Sequence, residues 1–178
     1  MNHDTSLSKV RKVLVTGMSG TGKSTALKEL SRRGFRVVDT DEADWTVWDE
    51  EDGGYVWRED RIAELLSGPP ASNAGGPGDG EATLYVSGTV ANQGRFYPQF
   101  DAVVLLSAPA ETLFDRIDRR TTNRYGKTAH EKELILRHLK EVEPLLRATC
   151  THEIDTTRPV DEVVTRLVEI GGALGCEQ

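Results

Sequence analysis

Residues 17–25 restrict the folding of this chain more than any other segment, because they fit the pattern G-x-x-x-x-G-K-[ST] in full. The apolar residues 13–15 before them indicate a buried strand, and residues 26–33 indicate a helix that ends at Gly34. A strand that turns sharply into a helix points several backbone N–H groups into one concavity, and the helix dipole adds to their attraction for an anion. The sequence therefore predicts a phosphate-binding loop between the first strand and the first helix.

The side chains of this loop are expected to share the binding of a polyphosphate. Glycine lets the backbone approach the phosphates without a Cβ in the way. Lys23 is predicted to reach the outer phosphates, and the Ser24 hydroxyl is predicted to bind Mg²⁺. The residues predicted to contact the ligand here are Gly17, Ser19, Gly20, Thr21, Gly22, Lys23, Ser24 and Thr25.

The overall charge of the chain limits its partners. The 178 residues carry a net charge of −7, which argues against general nucleic-acid binding, since that needs a basic surface. No apolar run approaches the roughly 18 residues that span a bilayer, and residues 1–8 lack the apolar core of a secretory signal. Cys150 and Cys176 are too few for a disulfide framework. We expect one cytoplasmic domain over residues 1–178, with a small-molecule partner, no nucleic acid and no membrane; monomer and dimer both stay open.

Strand and helix patterns alternate along the chain. Five apolar runs predict buried parallel strands at 12–16, 36–38, 83–86, 102–106 and 152–154. Helical patterns occur at 23–33, 58–66, 110–120, 131–142 and 160–170, the last closed by two glycines. This alternation predicts an α/β fold, a three-layer sandwich around a five-stranded parallel sheet. Residues 1–9 are expected to form a flexible tail, and residues 71–80, rich in Gly, Pro and Asn, a mobile loop.

The polar stretch 119–130 lies between two predicted helices and carries Arg119, Arg120, Arg124 and Lys127. One interpretation is a solvated connection, because runs of charge usually face water. The other is a short helical lid. Phosphoryl transfer needs positive charge over the transferring group and exclusion of water, and a cationic loop that closes on the ligand supplies both.

Two carboxylates follow the second predicted strand. Ligands of open parallel sheets lie beyond the carboxyl ends of the strands, and Asp39 and Asp41, two residues apart, would face the same side of an extended segment. One could hold Mg²⁺ through water while the other binds or deprotonates an acceptor hydroxyl; a solvated strand end is the alternative. The strands that end at Ser87 and Ser107 carry no carboxylate there, which disfavours an ATPase or GTPase switch and favours Asp39 on the metal side.

These motifs resemble the shikimate-kinase-like branch of the nucleoside and nucleotide kinases. Residues 17–25 are similar to the form GxxGxGKST of that branch, and residues 38–41, V-D-T-D, look like its D-T-D motif. The resemblance implies ATP as the phosphoryl donor, with Mg²⁺ as its metal. It also implies that Asp39 serves the Mg²⁺ and that Asp41 binds the hydroxyls of the acceptor.

Shorter matches to the same branch imply roles for four arginines. Arg58 follows an aromatic residue and Arg147 closes the run E-P-L-L-R, at the places where the branch has anion-binding arginines, so both are expected to hold the acceptor. Arg158 lies in a segment that resembles the adenine-binding loop after the last strand. Arg116 is expected to stack on the adenine ring.

The chain departs from the branch on the acceptor side. The triple-glycine turn after the third strand is replaced by residues 87–89, S-G-T, in which Gly88 is expected to let the acceptor approach the backbone. Residues 91–97 have no counterpart in the branch. Within them, Asn92 and Gln93 either hydrogen-bond a sugar or a base edge, or belong to a polar turn before a buried strand.

An aromatic cluster follows the two carboxylates. It consists of Trp45, Trp48, Tyr55 and Trp57. We interpret these rings as packing beneath the acceptor pocket, and a platform on which a ligand stacks is the alternative.

A small-molecule kinase is the first functional hypothesis, transferring the γ-phosphate of ATP to an alcohol group of a small metabolite. Lys23, with Arg120 or Arg124 from the lid, would stabilise charge on the moving phosphoryl group, and Asp41 would orient or deprotonate the acceptor. Catalysis of this kind rests mainly on positioning and electrostatics.

Two other hypotheses stay open. A nucleoside monophosphate kinase would use the same ATP side, with Arg58 and Arg147 on the phosphate of the acceptor and Gln93 reading its base. A nucleotide-binding regulator without turnover would use the lid as a ligand-gated contact surface. A comparison of acceptors by ADP release distinguishes these alternatives.

Overall fold

A parallel sheet forms the centre of the computed structural model, which describes residues 10–42, 44–68 and 83–173. The strands of these residues are β1 (Arg11–Thr16), β2 (Arg36–Asp39), β3 (Thr46–Asp49), β4 (Gly54–Trp57), β5 (Thr83–Ser87), β6 (Ala102–Ser107) and β7 (His152–Asp155). Five of them form one sheet in the order β2–β5–β1–β6–β7, and its pairs are parallel. The five predicted strands are thereby confirmed. The predicted tail and the predicted loop at 71–80 lie outside the described residues.

Helices cover both faces of this sheet. They are α1 (Lys23–Arg32), α2 (Glu59–Ser67), α3 (Ala110–Arg119), α4 (Ala129–Glu141), α5 (Glu143–Thr149) and α6 (Val160–Ala173), with a 3-10 helix at Gln93–Gln99. The fourth helix ends at Glu141, and Pro144 lies in the first turn of α5, where its missing N–H costs no hydrogen bond. None of the helices in the described residues is long and apolar enough to cross a membrane.

The end of α6 differs from the prediction, because the helix continues through Gly171 and Gly172. The guanidinium of Arg11 donates to the carbonyl oxygens of both glycines and so satisfies groups that a helix end leaves open. Gly171 is also buried against the Tyr85 hydroxyl, where a side chain would not fit. A long-range cap and close packing therefore outweigh the tendency of glycine to end a helix.

Alternating residues of the strands separate two apolar layers, as the prediction of a three-layer sandwich requires. Val13 and Val15 of β1 pack with α1 and α6, whereas Leu14 between them packs with α2 and the 3-10 helix. Leu30 of α1 and Leu167 of α6 are fully buried in the first layer. Burial of one such side chain contributes about 1.5–3 kcal/mol, so both faces of the sheet drive folding.

An antiparallel hairpin of β3 and β4 was not predicted. Its turn contains Gly53 at a φ of 60°, a conformation that suits glycine, and the sequence signal E-D-G-G at 51–54 was present. Trp57 is buried and packs edge-to-face on Phe96, in line with the packing interpretation of the aromatic cluster. Trp48 and Tyr55 pack edge-to-face on each other but stay 55% and 61% exposed, so that interpretation does not hold for them.

The predicted lid is a loop in the structure. Residues 120–128 connect α3 to α4 without a helix of their own. A capping box starts α4, in which the Thr128 hydroxyl accepts from the Glu131 N–H and the Glu131 carboxylate accepts from the Thr128 N–H. The cap starts α4 at Ala129, two residues before the predicted start, and the residues before it form a bend and a turn.

Candidate active site

The phosphate loop runs from the end of β1 to the start of α1, as predicted. Gly17 and Gly20 adopt φ values of 147° and 86°, which other residues avoid. A Cβ on Gly17 would overlap the carbonyl oxygen of Leu106, and one on Gly20 would lie 3.0 Å from that of Leu113. The loop therefore packs tightly against the end of β6 and against α3.

Lys23 lies half-buried at the centre of this loop. Its Nζ donates to the carbonyl oxygen of Gly17 at 2.6 Å and to that of Met18 at 3.3 Å. Burial lowers the pKa of Lys23, while the charges of Asp41 and Asp39 act in the opposite direction. The ammonium group thus stands between the loop and the two carboxylates that follow β2.

Three oxygen atoms gather beside the first turn of α1. The Ser24 hydroxyl donates to Asp39 Oδ2 at 2.9 Å. Ser87 pairs with Asp39 in the parallel register of β2 and β5, so both side chains lie on the α1 face of the sheet. The Ser87 hydroxyl is buried and has no hydrogen-bond partner within the described residues. Ser87 was not predicted as a site residue. A polar residue at the end of an apolar strand was the feature of the sequence that could have indicated it.

Asp41 lies two residues after Asp39 and is exposed. Its N–H donates to Asp39 Oδ1 at 3.1 Å. Burial against the surrounding protein raises the pKa of the Asp41 carboxyl, Lys23 lowers it and Asp39 raises it. The charges of both acids raise the pKa of Lys23. The carboxyl group of Asp41 is therefore held closer to protonation than an ordinary aspartate.

Thr40 lies between the two acids in the sequence. Its side chain points away from the α1 face of the sheet, towards Trp57, and is fully buried. Its hydroxyl donates to the Ser87 carbonyl at 2.7 Å and accepts from Trp57 Nε1 at 2.8 Å. A Cβ on Gly88 would overlap this hydroxyl and lie 3.0 Å from the Trp57 ring. The packing of the hairpin on β5 thus requires a glycine here. The prediction from sequence was that Gly88 lets the acceptor approach the backbone.

Asn92 and Gln93 are buried and committed to protein contacts. Asn92 accepts from the Trp57 N–H at 2.8 Å and donates to the Trp57 carbonyl at 3.0 Å. Gln93 bonds the Thr16 hydroxyl, the Val90 N–H and the Tyr97 hydroxyl. The interpretation as a polar turn is therefore supported, and the one that gives these amides a sugar or base edge is not.

The loop after α3 contacts the phosphate loop through one arginine. Arg120 Nη2 donates to the Ser19 hydroxyl at 3.3 Å and to the Tyr125 carbonyl at 2.7 Å. Burial lowers the pKa of Arg120. Arg124 is exposed. Of the two arginines predicted to act from this loop, Arg120 is thus the one that touches the candidate site.

Arg116 connects the phosphate loop to the turn after β7. Its Nη1 donates to the Gly20 carbonyl at 3.4 Å and to the Thr156 hydroxyl at 2.9 Å, and its Nη2 donates to the Thr156 carbonyl. Arg158, predicted on the same side, is exposed and pairs with Glu162 at 3.4 Å. The Arg116 guanidinium thus bonds the phosphate loop and the turn after β7. The prediction from sequence was that it stacks on the adenine ring.

The two arginines expected on the acceptor lie in different surroundings. Arg58, exposed before α2, lines a cleft of about 460 Å³ between that helix and the hairpin. Arg147 donates to Glu143 and Glu153 at 2.9 Å, and these hydrogen bonds raise its pKa. Glu153 belongs to β7, at the opposite edge of the sheet from β2 and its carboxylates. Two carboxylates already neutralise Arg147, and we leave it out of the candidate site.

The family model described as AAA domain (AAA_18) matches residues 13–137, more than half of the chain. The comparison with curated protein sequences gave no match.

Several solved kinases share the fold. A shikimate kinase from Acinetobacter baumannii in complex with shikimate superposes with a TM-score of 0.61 at 16% identity, covering 96% of this chain and 98% of that one. A sugar kinase from Janibacter gives 0.54 at 21% identity, with 95% and 100% covered. A gluconokinase from Sinorhizobium meliloti gives 0.52 at 18% identity, with 92% and 90% covered. The chain therefore belongs to the AAA domain family of the matching model and has the P-loop fold of the shikimate-kinase-like branch.

Proposed function

We propose that this protein is an ATP-dependent phosphotransferase that passes the γ-phosphoryl group to a hydroxyl of a small, anionic or hydroxylated metabolite. One observation carries the proposal: Ser24 of the phosphate loop bonds Asp39, and the N–H of Asp41 bonds the same carboxylate. The phosphate loop and the Asp41 carboxylate thus lie side by side. The names of the similar structures, shikimate kinase, sugar kinase and gluconokinase, support a small-molecule acceptor.

The oxygen atoms beside α1 fit Mg²⁺. Ser24 and Asp39 supply hard donors, and the unpartnered Ser87 hydroxyl can bond a water of the hydrated ion. The described segments hold no cluster of three or more His, Cys, Asp or Glu residues for a metal, which suits an ion that keeps several waters. When bound with ATP, Mg²⁺ supplies positive charge that neutralises the β- and γ-phosphates.

Asp41 acts on the acceptor in this proposal. The acceptor hydroxyl oxygen forms a bond to the γ-phosphorus, the bond from the γ-phosphorus to the bridging oxygen breaks, and ADP leaves. The hydroxyl proton passes to the Asp41 carboxylate, whose raised pKa favours that transfer. Lys23 bonds the phosphates with the donor that its bonds to the Gly17 and Met18 carbonyls leave over, and Arg120 covers them from the loop after α3.

The hypothesis that the protein is a nucleoside monophosphate kinase has less support. Its predicted base reader, Gln93, is buried in protein contacts, and Arg147 is neutralised by Glu143 and Glu153. Arg58 is the remaining anion-binding candidate of that set, and it suits a carboxylate as well as a phosphate.

An acceptor panel tests the proposal. Purified protein with ATP and Mg²⁺ is incubated with cyclitols, sugar acids and sugars, and separately with nucleoside monophosphates, while ADP release is followed. We expect turnover with a member of the first group, and turnover lower by a factor on the order of 10³ with Lys23→Ala. Turnover confined to the monophosphates would establish the second hypothesis instead, and tight ATP binding without any turnover would establish the regulator.

A further inference from the structure

Arg120 is held beside the phosphate loop by groups that carry no charge. Its Nε donates to the Asn123 carbonyl at 3.2 Å, and its Nη2 donates to the Tyr125 carbonyl at 2.7 Å and to the Ser19 hydroxyl at 3.3 Å. These three bonds leave two of the five N–H donors of a guanidinium, both on Nη1, without a partner among the described residues. Arg120 therefore keeps its charge and one end of its guanidinium for a ligand.

Arg147 shows the opposite arrangement. Its guanidinium donates to the carboxylates of Glu143 and Glu153, whose charges neutralise it. Carbonyl groups orient an arginine without neutralising it, so Arg120 stays attractive to an anion. Burial lowers the pKa of Lys23, and the charge of Arg120 lowers it further, which places the two cations close to each other at the phosphate loop.

The side chain of Asn123 shapes the turn that supplies the two carbonyl groups. Its Oδ1 accepts from the Tyr125 N–H at 2.8 Å, which closes a turn of the kind that asparagine side chains stabilise. The carbonyl groups of residues 123 and 125 belong to the two ends of this turn. One side-chain hydrogen bond therefore fixes the spacing at which both carbonyl groups meet Arg120.

Other contacts fasten the chain on either side of this turn. Lys127 Nζ donates to the Arg120 carbonyl at 2.7 Å, and the Gly126 N–H donates to the Glu131 carboxylate at 3.2 Å. Gly126 is buried, and a Cβ on it would lie 2.9 Å from two isoleucine side chains. Residues 121–125 between these points are exposed, so packing does not fix their conformation and the side-chain bond within the turn does.

We propose that Asn123 is a positioning residue: it holds the turn that orients Arg120 towards the phosphates of a bound nucleotide. The inference rests on the proposed function, in which Arg120 covers these phosphates. An arginine side chain that is already ordered loses less conformational entropy when it binds, so a fixed turn strengthens the contact. The proposal requires neither a movement of the loop nor a contact between Asn123 and the nucleotide.

Removal of the Asn123 side chain is expected to weaken nucleotide binding. The probe is the magnesium complex of the β,γ-imido analogue of ATP, and titration calorimetry gives its dissociation constant. Arg120→Met removes a charge-assisted hydrogen bond and should raise this constant by about thirtyfold. Asn123→Ala leaves Arg120 to be ordered on binding and should raise it by about fivefold. Asn123→Ser keeps an oxygen that accepts from the Tyr125 N–H and should recover most of the affinity.

A double-mutant cycle shows whether Asn123 acts through Arg120. In the Arg120→Met background there is no guanidinium to orient, so Asn123→Ala should cause no further loss of affinity. Equal losses from Asn123→Ala in both backgrounds, or no loss in either, would overturn the inference. Unchanged affinity of Arg120→Met itself would remove Arg120 from the phosphates, and the inference would fall with that part of the proposed function.

The hairpin offers a matched control at Asp49. Its Oδ1 accepts from the Glu51 N–H at 2.8 Å, two residues further on, as Asn123 Oδ1 accepts from the Tyr125 N–H. Asp49→Ala is compared with Asp49→Asn, because both variants lack the charge and only the second keeps the acceptor oxygen. Asp49→Ala should lower the melting temperature relative to Asp49→Asn without changing nucleotide affinity.

The control also separates the possible failures. A loss of affinity from Asp49→Ala as large as that from Asn123→Ala would mean that loosening any turn weakens binding, and would overturn the inference. Absence of binding by the unaltered protein would instead overturn the proposed function.

Discussion

The phosphate loop and the acceptor side of the cleft are held together by contacts of very different range. In the loop, Thr21 bonds Met18 through its N–H and its hydroxyl, and Lys23 bonds Gly17, six residues away. On the acceptor side, Trp57 bonds Thr40 and Asn92, which are 17 and 35 residues away. A short motif therefore supplies the turns within the first region, to which Arg116 and Arg120 add bonds from α3 and its end. The second region has no such local turns and exists only after the hairpin, β5 and the 3-10 helix have packed together.

This difference explains why the sequence predicts the phosphate loop more fully than the acceptor side. Closing a contact over a few residues costs little chain entropy, so the residues that form it can be recognised as a local pattern. A contact over dozens of residues depends on the whole fold. We therefore expect the phosphate loop to govern transfer itself, and the acceptor side to govern stability and the choice of acceptor.

The largest expected effect is that of Lys23→Ala. Lys23 is the cation of the loop that can reach the transferring group, so its loss should lower turnover by a factor on the order of 10³. Steady-state ADP release measures the change, with circular dichroism to check that the fold is retained. A variant that kept near-wild-type turnover would show that the loop does not perform the chemistry.

Asp41→Asn should lower turnover by about 10², since general base catalysis of this kind contributes factors of that size, while nucleotide affinity stays close to that of the unaltered protein. The result would extend the catalytic region from the loop into the acceptor side. If nucleotide affinity fell as far as turnover, Asp41 would belong to the nucleotide side instead.

The pH dependence gives an independent check on Asp41. Its pKa is raised above the ordinary value of 3.8, and the base must be unprotonated, so turnover should fall as the pH drops through that raised pKa. The acidic limb should therefore lie above pH 3.8 and should be absent from the residual activity of Asp41→Asn. An unchanged limb in the variant would assign it to another group.

Gly88→Ala tests the packing of the acceptor side. The added methyl group would overlap the Thr40 hydroxyl and crowd the Trp57 ring, and overpacking of this kind costs about 1–3 kcal/mol in the free energy of unfolding. Urea denaturation measures the loss. Gly94→Ala is a control with open space around the added group, and equal losses in the two variants would contradict the packing role.

The smallest effect is expected for Arg147→Gln. Its partly exposed ion pairs with Glu143 and Glu153 contribute about 1 kcal/mol to the free energy of unfolding, and turnover should not change. Measurement of KM for the acceptor checks the second point. A large rise in KM would return Arg147 to the acceptor site and would mean that its carboxylate partners release it on binding.

Much of the fold could be read from residue patterns. The five strands of the sheet and most helices were predicted to within one or two residues at each end, because apolar runs and helical periodicity reflect burial on a sheet or a helix face. The hairpin was missed because no residue of β3 is buried, so the sequence of that strand carries no pattern of a core-facing strand. The last turn of α6 was missed because its cap, Arg11, is 160 residues away.

The sequence by itself determined that this chain has a phosphate loop on a parallel sheet, because glycine conformation, helix start and strand burial are properties of neighbouring residues. Tertiary structure decided which polar side chains form bonds within the protein. Asn92, Gln93 and Arg147 do so, whereas the Ser87 hydroxyl beside Asp39 has no partner among the described residues. Residue type states what a side chain can bond. Only its surroundings in the fold decide whether that bond is already made.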